Sequence, residues 1–145
     1  MKYQNVFLNS IGYELPDLVV TTKELEERIA SVYKTLKVPK GQLEFLTGIK
    51  ERRWWPENFV ISDGASAAAK KALAKSDLTG ADVDILVYGG VCRDYIEPAT
   101  ACKIAYDLGV NEDAAIYDVS NACLGSLNGL VDVANRIELG QADVG

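Results

Sequence analysis

Two short apolar runs, each closed by small or turn-forming residues and followed by a segment of helical spacing, limit most strongly what this chain can fold into. Val83-Asp84-Ile85-Leu86-Val87-Tyr88 is a nearly continuous apolar stretch ending in Gly89-Gly90, and Ala114 to Val119 is a second. Strands that read as continuous rather than alternating runs are those covered on both faces, as in a parallel sheet flanked by helices. The first run leads into VCRDYIEPATACKIAYDLG, which reads as loop up to Pro98 and helix after it, with Gly109 as the stop. After the second run, Leu124, Leu127, Val131, Ala134 and Ile137 recur at helical spacing until Gly140.

Upstream the signals are weaker. Val6 to Ile11 is a short β-prone run bounded by Gly12 and Pro16 and reads as a first strand. Thr21 or Thr22 is placed to cap a helix carrying Leu25, Ile29, Val32 or Tyr33, and Leu36 on one face, stopped by Pro39 and Gly41. The opposite face, with Lys23, Glu24, Glu26, Glu27 and Arg28, reads as solvated. Gln42 to Phe59 lacks clear periodicity and reads as loop or short turns, and an alanine-rich helix begins near Ser62. The order β, α, α, β, α, β, α predicts an α/β layered domain with a largely parallel sheet. The 145 residues suit one core. Gln141 to Gly145 resembles a turn that would feed another strand, so the chain is expected to be a piece of a longer protein.

Charge and cysteine usage exclude several functions. Fifteen Lys plus Arg stand against 21 Asp plus Glu, and the basic residues are scattered apart from Lys50 to Arg53, which argues against a nucleic-acid surface. Cysteines at 92, 102 and 123 are an odd number without CxxC spacing, so neither a disulfide framework nor a metal site is expected. A reducing cytoplasm suits them best. The N-terminus lacks the apolar region and cleavage site of a signal peptide, and no stretch approaches the ~20 apolar residues that span a bilayer. The chain contains no histidine, so any mechanism that needs an imidazole must borrow it.

Cys123 stands where the second apolar run hands over to a helix, among Ser120, Ala122, Gly125 and Ser126, which permit a sharp turn. Unpaired N–H groups and the macrodipole at a helix N-terminus stabilise a thiolate, and the same amides can donate to an oxyanion. A free cysteine in an apolar setting is also commonly a small core residue. The residues alone leave both readings open. Cys92, after a strand, and Cys102, on the apolar side of a helix, read as packing residues.

DVSNACLGSLNGL, taken with TGIKERR, DVDILVYGG and YIEPATACKIAYDLG, resembles the N-terminal half of the thiolase-like condensing enzymes, and within them the ketoacyl synthase III group. The resemblance implies a duplicated fold of layered mixed and parallel sheets flanked by helices, with residues 1–145 supplying most of the first half. It implies an acyltransferase in which Cys123 takes an acyl group from an acyl-coenzyme A or acyl-carrier-protein thioester. A second acyl unit then attacks as a carbanion. It implies no permanently bound cofactor and no metal, a homodimer, and a C-terminal half that carries the family's histidine and asparagine. The alternative is a non-catalytic acyl-binding or dimerisation module that kept the half-fold.

Glu97 narrows the resemblance. The fatty-acid-initiating synthases have an aromatic or apolar residue in that place, whereas Cys92-Arg93-Asp94-Tyr95-Ile96-Glu97-Pro98 is similar to the OleA-type enzymes that join two long acyl chains head to head. Condensing two plain acyl chains requires a base for an α-proton, and a carboxylate in an apolar tunnel suits that task. The other reading makes Glu97 a cap for the helix that starts near Pro98. In the synthase III pattern a tryptophan five residues before the threonine of TGI and an arginine just before it hold coenzyme A, but Gln42 and Leu46 stand there in this chain. Arg52, Arg53 and Trp54, with Trp55, are the residues that can replace the clamp by phosphate pairing and stacking, or else anchor the loop.

Overall fold

The computed structural model describes residues 2–145, which form two compact units, Leu15–Phe59 and a larger one made of the residues up to Glu14 with Val60–Gly145. The smaller unit contains β1 (Leu18–Thr21), α1 (Thr22–Arg28), α2 (Ala30–Leu36), α3 (Gln42–Thr47) and β2 (Glu51–Trp54). The two strands pair antiparallel, from Leu18 opposite Trp54 to Thr21 opposite Glu51. Thr21 caps α1 through a reciprocal capping box: its Oγ1 accepts the Glu24 N–H, and the Glu24 carboxylate accepts the Thr21 N–H.

Three expectations change in this unit. The single helix expected from Thr22 to Leu36 is divided at Ile29, whose backbone leaves helical geometry. The stretch read as loop contains α3 and β2, because β1, 30 residues away, provides the hydrogen-bonding partner that no local pattern announces. Glu26, assigned to the solvated face, is buried. Its carboxylate accepts the N–H of Gly41 at 2.7 Å, that of Leu43 at 3.0 Å and the Tyr33 hydroxyl at 3.2 Å. These bonds, chiefly those from Leu43 and Gly41, hold its pKa below the ordinary glutamate value of 4.5. A depressed carboxylate contributes stability that is complete above the unfolded value and is lost as pH falls through the lower folded one. Protection of the Gly41 and Leu43 amides from hydrogen exchange, relative to their intrinsic rates, is therefore expected to fall only in acid below the ordinary glutamate range. In Glu26→Gln, that protection should already be lower at neutral pH.

The larger unit contains α4 (Ile61–Leu73), a 3₁₀ turn at Gly80–Asp82, β3 (Ile85–Gly89), α5 (Thr100–Leu108), β4 (Ala115–Val119) and α6 (Gly125–Glu138). β3 and β4 are parallel, in register from Ile85 opposite Ala115 to Gly89 opposite Val119. Parallel neighbours need a crossover, and α5 supplies it. It packs on α4 and on both strands, burying Thr100, Ala101, Ile104 and Ala105. α6 packs on the same two strands through Gly125, Gly129 and Ala134 rather than through the leucines of the sequence pattern. A Cβ on Gly129 would stand 3.0 Å from Val87 Cγ1, so the small residues let the helix backbone approach β3. Leu124, Leu127 and Leu130 are consequently more than half exposed.

Val6 to Ile11 is irregular rather than a strand, with Phe7, Leu8 and Ile11 exposed. A β-prone run gains little from extension without a neighbouring strand to receive its backbone groups. The closing segment returns to β3: the Val144 carbonyl accepts the N–H of Asp84 and Ile85, and the Asp84 carboxylate accepts those of Asp143 and Val144. Among the described residues no helix is long and apolar enough to cross a membrane.

Candidate functional site

β4 delivers the chain to the turn that holds Cys123. The Leu124 N–H donates to the Asn121 carbonyl at 2.9 Å, and the Gly125 N–H to that of Ala122 at 3.2 Å. Ala122 adopts φ +42°, in the left-handed region that costs a residue with a Cβ roughly 1–2 kcal/mol. The Asn121 side chain ties the turn to α6 by donating to Asn128 Oδ1 at 2.6 Å. Cys123 is a free, exposed thiol immediately before the cap residue Leu124. The start of a 14-residue helix therefore lies directly behind it, as its sequence context predicts. The oxyanion expectation is narrowed, because the Leu124 and Gly125 amides are already engaged within the turn.

The helix start is seated by β3. Ser126 Oγ donates to the Gly89 carbonyl at 2.6 Å, and a Cβ on Gly89 would lie 2.7 Å from Ser126 Cα and 2.8 Å from the Gly125 carbonyl. Only glycine permits that approach, a role the Gly89-Gly90 pair signalled merely as a strand end.

Glu97 lies in the loop between β3 and α5, is exposed, and precedes Pro98 across a cis peptide bond. It is not the cap of α5. The first amides of that helix are taken by Asp118 on β4, whose carboxylate accepts the Thr100 and Ala101 N–H groups, each at 2.9 Å. Arg93 Nε stands 3.9 Å from Asp118 Oδ2. Asp94 caps α4 from the same loop, accepting from Ile61 N at 2.8 Å and Ser62 N at 3.3 Å. At the start of the loop the Tyr88 hydroxyl donates to the Cys92 carbonyl at 2.7 Å. Burial, and then the electrostatic influence of Cys92, Asp118 and Asp94 against that of Arg93, raises the pKa of that phenol, so it acts as a donor rather than a base. The sequence reading missed Asp94, Asp118 and Tyr88. The legible signal for Asp118 was one carboxylate inside an apolar strand, a residue type that is seldom buried without partners.

Cys92 and Cys102 are exposed rather than packed. On α5 the buried residues are Thr100, Ala101, Ile104 and Ala105, and Cys102 is not among them. Tyr95 and Ile96 beside Glu97 are 69% and 89% exposed, so these residues do not enclose the carboxylate in a tunnel.

Arg52, Arg53 and Trp54 belong to the smaller unit, on β2, where strand alternation divides them between two faces. Arg52 donates to Thr22 Oγ1 at 2.9 Å, and Thr22 in turn donates to the Ile49 carbonyl. Trp54 lies under the Arg28 guanidinium at 4.9 Å from the ring centroid. Arg53 is exposed and donates to the Asp17 carbonyl at 3.3 Å, while Trp55 stacks on Phe59 with centroids 3.8 Å apart. A depression of about 370 Å³ in this unit is lined by Gly41, Glu44, Phe45, Gly48 and Lys50. No cluster of three or more His, Cys, Asp and Glu suited to a metal occurs among the described residues.

Residues 47–145 match the family described as thiolase, N-terminal domain. An acyl-CoA:acyl-CoA alkyltransferase of Shewanella oneidensis is 57% identical over 145 residues, all of this chain and 42% of that protein. A beta-ketoacyl-[acyl-carrier-protein] synthase III of Bacillus pumilus is 34% identical over 136 residues, 94% of this chain and 41% of the other. The crystal structure of Xanthomonas campestris OleA with bound lauric acid and lauroyl-CoA superposes with a TM-score of 0.87 at 33% identity, over 97% of this chain and 42% of that one. The chain thus spans about two fifths of the length of the relatives it matches. Crystal structures of that OleA carry single substitutions of a glutamate, a cysteine and a histidine. The glutamate precedes the cysteine by twenty-six residues, and the histidine follows more than a hundred residues later.

Proposed function

The chain belongs to the thiolase family, and from that premise we propose that it is the N-terminal half of a condensing enzyme that joins two acyl thioesters. The Cys123 thiolate attacks the thioester carbonyl of the first substrate, the carbon–sulfur bond to the carrier breaks, and the departing thiolate takes up a proton. Glu97 then accepts an α-proton from the second acyl thioester, the resulting carbanion attacks the acyl group on Cys123, and a carbon–carbon bond forms as Cys123 leaves as thiolate. The product is a β-keto acyl thioester, and no redox partner enters the balance.

The observation that carries the reading is that the chain holds both an exposed thiol at the head of α6 and an exposed carboxylate, Glu97, that is free of capping work because Asp118 caps α5 in its place. Glu97 and Cys123 also stand twenty-six positions apart, the separation of the glutamate and cysteine substituted in the Xanthomonas structures. The chain has no histidine of its own, so the group that stabilises the developing enolate is assigned to a C-terminal half. We assign contact with the donor's phosphates to the exposed Arg53, since Arg52 and Trp54 are engaged with Thr22 and Arg28. β4 pairs on one side only among the described strands, and we assign its other edge to the same strand of a second copy in a homodimer. In that arrangement the loop of one copy reaches the partner's pocket, so base and nucleophile come from different chains.

The test is intact mass after incubation of the chain, alone and joined to its C-terminal half, with a long-chain acyl-coenzyme A. A gain of one acyl group mapping to Cys123 is expected. No gain in either form would leave a non-catalytic acyl-binding or dimerisation module as the better reading.

A further inference from the structure

We propose that Asp118 is a positioning residue for Glu97, which deepens the reading above and rests on Glu97 being the base. Asp118 sits on β4, five residues before Cys123, and holds the first turn of α5, three residues after Glu97. Its side chain is 7% exposed, and both its oxygens are used, one on the Thr100 N–H and the other on the Ala101 N–H. A carboxylate that far from water is costly unless charge-assisted bonds replace its hydration, and a helix N-terminus supplies both the donors and the favourable field. Ordinarily a serine, threonine or aspartate at the cap position would serve the helix locally. Here the cap residue is Ala99, which makes no side-chain bond. The work passes to a residue on the strand that delivers the nucleophile.

The consequence is a tie between the two segments that carry chemistry. Tyr88, opposite Asp118 in the sheet register, holds the Cys92 carbonyl, and Asp94 fastens the middle of the loop to α4. The stretch from Cys92 to Ala101 is thus fastened to β3, α4 and β4 in turn, while the Glu97 carboxylate takes none of these bonds. Anchoring the last point to β4, the strand assigned to the dimer edge, sets how far Glu97 projects across that edge. A base must lie within hydrogen-bond reach of the proton it removes, and a displacement of about 1 Å can cost roughly a hundred-fold in rate.

The experiment uses the complete enzyme with Asp118→Asn, which keeps the shape but provides one acceptor oxygen instead of two. Single-turnover acylation of Cys123, product formation and hydrogen exchange over residues 93–101 are followed together. Exchange at Thr100 and Ala101 is expected to rise about ten-fold, acylation to stay within about three-fold, and condensation to fall by about ten- to a hundred-fold. Adding Ala99→Asp to this variant restores a local cap. If Asp118 only stabilises α5, both exchange and condensation recover, whereas a positioning role restores protection and leaves condensation low. Thr100→Pro is the second variant, because proline suits the first helical position yet removes one of the two donors. It should lower condensation in the same sense with Asp118 intact. Equal loss of acylation and condensation, or normal condensation with a freely exchanging loop, would overturn the proposal. Glu97→Gln run beside these variants separates the two levels: normal condensation there refutes the base itself, whereas a dead Glu97→Gln with an unaffected Asp118→Asn refutes only the positioning.

Discussion

Cys123→Ser, in the complete enzyme, is expected to abolish the acyl-enzyme and to lower turnover by at least about a thousand-fold. A serine hydroxyl at neutral pH is almost wholly protonated and is a far weaker nucleophile than a thiolate. The exposed turn tolerates the exchange sterically, so folding should be unchanged. The measurement is intact mass after incubation with a long-chain acyl-coenzyme A, beside a thermal melt. A full acyl gain on the serine variant would place the nucleophile elsewhere, with Cys92 and Cys102, both exposed, the first thiols of residues 1–145 to examine.

Glu97→Gln is expected to separate the two half-reactions. Glutamine keeps the length and hydrogen-bonding capacity of the side chain but cannot accept an α-proton, so acylation of Cys123 should proceed while condensation falls by about a hundred- to ten-thousand-fold. Because Asp118 and not Glu97 caps α5, the substitution should leave the melting temperature within experimental error, which is the outcome a capping role could not produce. In the proposed dimer, mixing Cys123→Ser subunits with Glu97→Gln subunits should restore part of the activity, since a mixed dimer retains one site with both functional groups. Absence of any recovery in demonstrably mixed dimers would put both residues in one chain's site.

The difference between these two residues follows from where their signals lie. The Cys123 turn is written locally: an apolar strand, small residues and a helical repeat follow one another within two dozen positions, and the structure places β4, the turn and α6 accordingly. The same holds for α1, whose Thr21–Glu24 capping box is a three-residue relationship, and for α5, bounded by Pro98 and Gly109. Sequence alone leaves Glu97 open because its two readings differ in who caps α5, and the capping group is a carboxylate on β4.

Side-chain types, turn residues and helical spacing by themselves determined the order of elements from α4 onward, the parallel β3–β4 pair and a thiol at the head of α6. Hydrophobic periodicity and backbone capping act between near neighbours and survive without knowledge of the rest of the fold. Tertiary structure alone decided that Glu26 is buried, that β2 exists, that Val6 to Ile11 is not a strand, and that α6 turns glycines rather than leucines toward the sheet. Each of those outcomes depends on a group distant in sequence: the amides of Gly41 and Leu43 for Glu26, the edge of β1 for β2, a missing neighbour for residues 6–11, and the close approach of β3 for α6. A polar group goes where its hydrogen bonds are completed, and a helix face goes where its backbone can come closest. Both conditions are set by contacts across the fold, and the linear pattern does not contain them.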